Sequence, residues 1–339
     1  VADEGVVDGV VDDGGLRRKV TEGLGEYRWV RDVRRVLPEL RASGRLAVDA
    51  VPWRRYHHAF GRAEDVPDSL RALSDCDPDV VSRELGALWD RIRHQGGTYA
   101  PAALAVPFLI RLAANPAAHC RANLLLLTAE AGHRDHFGGD MRQDLLQVDY
   151  PPEDLRFDTS GYPVQLTLEA AREAITADVS LLIPLLDDAD AAVRSAAAYT
   201  LATASGAPPV VSQALRARLA LEDDEPVRIS LVLALAQLAI ERSEAAVAVA
   251  WAEQLWTDEE SSIDLRLAGA LAWVCATVAP PPQCLLDLLA MATTSEMEQW
   301  MRQVPWQDDL AWAGSLAVWL AAFLNNTPAQ DPENPFASL

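Results

Sequence analysis

Basic side chains are scarce in this chain: its 339 residues carry 29 Lys and Arg against 50 Asp and Glu, a formal charge of −21. DNA is held by clustered cations that release its counterions, so the shortage argues against nucleic acid as a partner. Anionic membranes are disfavoured for the same reason. Cysteine is sparse as well. Cys76, Cys120, Cys275 and Cys284 lie too far apart for a metal knuckle and make no disulfide framework in a chain this long, so reduced, buried thiols are expected. Long apolar runs are missing. The longest, Leu310 to Leu324, falls short of the ~18 to 20 residues of a bilayer span and reads as a buried terminal helix. No stretch near Val1 has the charged, apolar and small-residue order of a secretory signal, so the expected location is cytoplasmic. The long β-branched alternation that marks strands is also lacking.

What is present is a core-forming chain, half of it apolar and 23% of it charged, of a length that suits one or two domains. Residues 1–15 hold five acids, four glycines and no base, and are expected to form a disordered acidic tail. Residues 331–339 are expected to form a flexible tail. Between Leu16 and Arg45 the balance reverses to nine bases against four acids. There Trp29, Val30, Val33, Val36, Leu37 and Leu40 recur at helical spacing. This predicts a basic amphipathic helix within an N-terminal capping segment, 16–65, acting as a partner site, as a clamp on the acidic body or as an ordinary capping helix. From about Val66 onward, apolar helical segments of 10 to 16 residues alternate with short turns containing Asp, Pro or Gly. The fold class is all-α.

The helices repeat. Leu181–Arg194 followed by Ser195–Ala204 has a counterpart in Leu215–Arg228 followed by Ile229–Ala239, and a third in Trp251–Arg266 followed by Leu267–Val274. Arg194, Arg228 and Arg266 are 34 and 38 residues apart, and Arg121 stands 73 residues before Arg194. Each unit is a helix, an acidic turn, and a second helix that opens with apolar residues and Arg. Val193, Ala196, Ala197, Thr200, Leu201 and Ala204 form one apolar stripe that a lone helix pair cannot bury, so neighbouring units must stack on it. Small residues such as Ala197 and Gly269 permit close helix approach, and Asp79, Asp190 and Pro226 serve as caps and helix starts. Pro107 and Pro184 bend the helices that contain them. The recurring Arg predicts a ladder of charge-assisted bonds to acids of neighbouring units, such as Asp187, Asp190, Asp224 or Asp264.

The Val193-Arg194 and Val227-Arg228 turns resemble the Asp-x-x-Val-Arg turn of the HEAT-repeat family, over roughly residues 66 to 275. Where the family has Arg, the first unit has Val81, which marks an edge repeat. The resemblance implies a right-handed α-α superhelix, an α-solenoid of HEAT-like helix pairs over 66–330, with a loop inserted at 133–164. It also implies protein binding, since some HEAT-like proteins act as immunity partners for toxins. Others are enzymes, such as alkylpurine DNA glycosylases and phycobilin lyases.

Candidate chemistry is thin. His133, Asp135 and His136 lack the third ligand a zinc site needs, so no metal and no cofactor are expected. His57, His58, His94 and Tyr99 could make an acid/base cluster, but no nucleophile elbow, phosphate loop or HExxH accompanies them, and no catalytic residue is assigned. Seven of the ten tryptophans follow residue 250 and are expected to close the final repeat. Between Leu181 and Asp264 there are 14 acids and five bases, concentrated at turns, which predicts an anionic rim that steers a basic protein partner. The partner is expected on the concave face and the acidic rim, and the candidate contacts are Glu222, Asp223, Asp224, Glu225, Tyr199, Trp53, Arg54, His57 and His58. The competing expectations are an enzyme on the same scaffold and a structural assembly module.

Overall fold

A computed structural model describes residues 32–134, 142–151, 154–206, 208–307 and 313–325. The expected tails, the basic stretch before Asp32 with Trp29, the Asp135 and His136 pair, and Trp312 lie outside the described residues.

The protein is all-α. After a short 3-10 turn at Val33–Arg35 come α1 (Val36–Ala42), α2 (Val66–Ala72), α3 (Pro78–Ile92), α4 (Ala100–Ala113) and α5 (Arg121–Glu130). They are followed by α6 (Val164–Ala177), α7 (Val179–Leu182), α8 (Ala191–Ala202), α9 (Pro209–Leu219), α10 (Glu225–Glu241), α11 (Ala245–Thr257) and α12 (Ile263–Ala276). The series closes with α13 (Gln283–Met291), α14 (Ser295–Met301) and α15 (Leu316–Leu324). No described helix is long and apolar enough to cross a membrane. Two hairpins interrupt the series, β1 (His57–His58) with β2 (Gly61–Arg62) and β3 (Arg93–His94) with β4 (Gly97–Thr98). Gln95 and Gly96 both have positive φ, 48° and 77°, the backbone of a two-residue type I′ turn. Strands of two residues leave no alternation to read.

Helix starts follow the expected turn chemistry. Asp190 Oδ1 accepts from the Ala192 amide at 2.9 Å, and Asp224 Oδ1 from the Val227 amide at 3.1 Å. At α3 the cap is Asp77, whose Oδ1 accepts from the Asp79 amide at 3.0 Å, so Asp79 is the donor and not the cap expected of it. Pro107 lies inside α4 as expected. At Pro184 the chain tightens from α7 into a 3-10 helix, Ile183–Asp187, the adjustment a missing amide imposes.

Successive inner helices touch in order, α5 with α8, α8 with α10, and α10 with α12, while α9 packs on α10 and α11 on α12. Gly269 sits where α12 meets α11. A Cβ there would lie 2.7 Å from Leu255 Cβ and 3.0 Å from both Ala252 O and Trp256 N, so the expected close approach is real. The inner helices are buried all round and not along one stripe: 195–202 of α8, 229–238 of α10 and 267–275 of α12 are buried without a break. A helix apolar on every side needs cover on every side. Part of that cover comes from the region expected to be an inserted loop. Its 3-10 turn, Arg142–Leu146, packs on α10 and α12, while the 3-10 turn Pro305–Gln307 packs on α8 and α14 on α10. Arg142 Nη2 donates to Ala279 O at 2.6 Å and Gln143 Nε2 to Thr277 O at 3.0 Å, tying the segment to the end of α12.

The described part of the basic N-terminal segment clamps the body. Val33, Val36 and Leu37 are buried, Arg34 pairs with Glu169 at 2.8 Å, and Arg41 and Arg111 both pair with the buried Asp178. Trp256, Trp273, Trp306 and Trp319 are buried. The thiols divide: Cys275 is buried, which pushes its pKa up, while Cys76, on a bend, and Cys284, in the first turn of α13, are exposed and Cys120 is half-buried.

Candidate functional site

The recurring arginines form the ladder. Arg121 Nη2 donates to Asp188 Oδ2 at 2.7 Å, across to the turn before α8. Arg194, in the first turn of α8, makes a two-pronged contact with Glu222 before α10, Nε to Oε2 at 2.8 Å and Nη2 to Oε1 at 2.9 Å. Arg228, in the first turn of α10, does the same with Asp264 in α12, at 2.6 and 3.1 Å. The fourth, Arg266, has no carboxylate partner among the described residues and donates to Trp256 O at 3.3 Å. Paired guanidinium and carboxylate forks are short, directional bonds, so each turn is held to the next. Of the expected acceptors, Asp264 takes a rung and Asp187 accepts from Arg218 at 3.2 Å, whereas Asp190 and Asp224 are spent on caps.

Glu222 is the busiest acid. Besides Arg194 it accepts from Arg218 Nε at 2.8 Å and from the amides of Asp223 and Asp224 at 3.2 and 3.1 Å. Burial alone would raise its pKa, but the two guanidiniums and the Asp224 amide outweigh that and hold it at about 2. Arg218 was not among the sequence candidates. Its spacing of four from Glu222 on one helical register was the available signal.

Because the arginines are engaged by buried carboxylates, the remaining acids of these turns make no close ion pair of their own. Asp223, Asp258, Glu259 and Glu260 are exposed and form no ion pair among the described residues, although Asp223 lies within the field of Arg228. Asp224 and Glu225 are half-buried; the first caps α10 and the second lies 4.0 Å from Arg228. Ladder pairs connect the turns, so these acids share one edge of the molecule.

The other proposed contacts fall elsewhere. Tyr199 is buried: its hydroxyl donates to Glu130 Oε1 at 3.1 Å, and its ring meets Trp306 at 4.6 Å and His133 at 4.9 Å. The expected contact role of Tyr199 is therefore corrected: the side chain is enclosed. Glu130 also holds Arg93 at 2.6 Å, and Trp306 Nε1 donates to Gln237 Oε1 at 2.8 Å. This interior polar network had no sequence signal, because its members come from five separate elements. Trp53 is buried, with Nε1 donating to Val48 O at 2.7 Å, while Arg54 and His57 are exposed. His58 is buried; its Nδ1 accepts from the Phe60 amide at 3.1 Å, which leaves Nε2 to donate to Asp65 at 2.9 Å. Glu222, Trp53, His58 and Tyr199 therefore offer no side-chain surface to a partner, whereas Asp223, Arg54 and His57 do.

The histidine and tyrosine cluster does not converge. His94 Nδ1 lies 2.7 Å from Asp90 and the Tyr99 hydroxyl 3.2 Å from Thr159, so each ring has its own polar neighbour. Among the described residues no group of three or more His, Cys, Asp or Glu is placed to hold a metal. Comparison with protein-family models, with curated proteins and with solved structures finds no match to this chain.

Proposed function

We propose that the protein is a non-catalytic binding scaffold of HEAT-like helix pairs coiled as a right-handed superhelix, and that it takes a basic protein on its acidic edge. The single observation that carries this reading is the division of the turn acids. Glu222 and Asp264 are buried on the ladder arginines, and Asp223, Asp258, Glu259 and Glu260 stand exposed near them with no ion pair among the described residues. Uncompensated charge of one sign on a rigid edge raises the encounter rate of an oppositely charged protein and discriminates against acidic ones. An immunity-type partner that neutralises a cationic toxin has this requirement. Because the inner-helix face is covered, the reading rests on the edge and not on a concave surface.

The test is capture from a native lysate of the source cells by the full chain and by Asp223→Lys/Glu259→Lys/Glu260→Lys. The reading expects a basic protein retained by the first, lost from the second and released by moderate salt, with both proteins equally stable. Submicromolar binding of labelled DNA with a steep salt slope would instead favour a DNA-acting enzyme. Low-micromolar self-association with no foreign protein retained would favour an assembly module.

A further inference from the structure

Gln237, on α10, is the hub of the interior network, and its amide has one orientation open to it. Its Oε1 accepts from the Trp306 indole at 2.8 Å, and an indole nitrogen only donates; its Nε2 donates to Ala202 O at 3.0 Å, and a carbonyl only accepts. The third neighbour is His133 Nε2, 3.4 Å from the same amide nitrogen. A flipped amide would lose both other bonds, so the NH2 group stays towards the imidazole. His133 Nε2 is therefore the acceptor, and the ring proton stands on Nδ1. We propose that this tautomer is a latch, and that a proton taken from water on to Nε2 releases the Pro305–Gln307 turn from α8. The latch is independent of the acidic edge and of the partner proposed for it.

The consequence follows from the donor count. A protonated Nε2 is a donor that faces a second donor, and a buried donor without an acceptor costs more than the long bond it replaces contributed. Gln237 has no way to relieve this by turning over, since it would forfeit Trp306 and Ala202 together. His133 is held as well: it is buried, its carbonyl accepts from Arg93 Nη1 at 3.3 Å, and its ring lies 4.9 Å from that of Tyr199. The least anchored member is Trp306, which stands in a three-residue 3-10 turn and meets Tyr199 at 4.6 Å.

The charges around the imidazole are already matched to one another. From β3, Arg93 holds Glu130 of α5, whose other oxygen accepts from the Tyr199 hydroxyl. Arg134, next in the chain, pairs with Asp144 at 3.2 Å. On α6, Arg172 packs against Gly132, where a Cβ would lie 3.0 Å from its Cγ, and its guanidinium is bound to Glu241 with Asp149 at 3.6 Å. From α8, α10 and the Pro305–Gln307 turn the neighbours are Tyr199, Gln237 and Trp306, all uncharged. Each of these carboxylates has its own arginine, so an imidazolium would compete for an acid rather than find a spare one.

Nitrogen NMR of the full chain labelled in histidine and tryptophan tests this, with His133→Phe and Trp306→Phe assigning the two signals. At neutral pH His133 is expected as the uncharged Nδ1–H tautomer. On acidification the Trp306 indole resonance should shift to that of an unbonded indole with the same midpoint as His133, while the Trp53 indole, bonded to Val48 O, keeps its position. In His133→Phe the Trp306 resonance should not follow that transition. Gln237→Glu offers the imidazole a carboxylate and should turn the ring to its Nε2–H or doubly protonated form, which decides the matter if His133→Phe does not fold. The proposal would be overturned by an Nε2–H or charged ring at neutral pH in the unaltered chain, or by an unchanged tautomer in Gln237→Glu. A Trp306 signal that stays in place through the His133 titration, moves only together with Trp53, or moves equally in His133→Phe would overturn it too.

Discussion

The turns before α8, α10 and α12 and the hairpins before α2 and α4 both lead the chain into a helix, by different means. In the turns, an acid beside or just inside the helix start is held by an arginine from an earlier helix, Asp188 by Arg121, Glu222 by Arg194 and Asp264 by Arg228. In the hairpins, backbone register sets the entry and two histidines take separate partners, His58 on Asp65 and His94 on Asp90, while His57 and Arg62 are exposed. Periodic pairing leaves surplus charge in a row along an edge, and separate pairing does not. The first region therefore carries a row of exposed carboxylates fixed beside buried ion pairs, and the second carries no such row.

The largest effect that would sharpen this contrast is expected at Glu222. Glu222→Ala removes the carboxylate that Arg194 and Arg218 share, leaving Arg194 only backbone acceptors and Arg218 only the exposed Asp187, and loss of one partner from a buried pair costs about 3 kcal/mol, readable by urea unfolding. Next is Gly269→Ala, where the added methyl meets the backbone of α11 and not a flexible tip; overpacking of this kind costs about 2 kcal/mol and should lower the thermal midpoint. Acid should separate the regions too. The Glu222 carboxyl titrates at about 2 in the folded chain against an ordinary 4.5. Its stabilisation is thus complete above pH 4.5 and is lost as the pH falls towards 2. Glu222→Gln should flatten the acid limb of the stability profile in that window. The smallest effect belongs to the hairpin: Gln95→Gly relieves a left-handed non-glycine residue and should stabilise by about 1 kcal/mol, seen as a small rise in melting temperature.

The ladder was legible because it is local chemistry repeated. Arg194 and Arg228 stand after an acidic turn at matching positions, and any stacking of the units brings them to the next turn. Glu222 was harder. As a carboxylate in an acidic run it read as solvent-facing, and only the convergence of Arg194 and Arg218 turns it inward. Tyr199 in the sequence is a candidate contact, but its cover comes from Trp306, more than a hundred residues away, through contacts that no local period encodes. The same holds for the 142–151 segment, whose irregular composition reads as loop although its polar groups bind the end of α12. The hairpins were invisible for a simpler reason: strands of two residues are shorter than one alternation. The class of the fold was within reach of patterning alone, and the layer that closes it was not.

The most direct test of the account is a double-mutant cycle at the clearest rung, with Arg228→Met, Asp264→Asn and both together, measured by equilibrium unfolding of the full chain. A coupling of about 2 kcal/mol between the two residues is expected if the turns are locked to one another through buried ion pairs. A coupling below about 0.5 kcal/mol would contradict it, because the arginines would then be ordinary surface cations and the edge would have no fixed charge pattern to present.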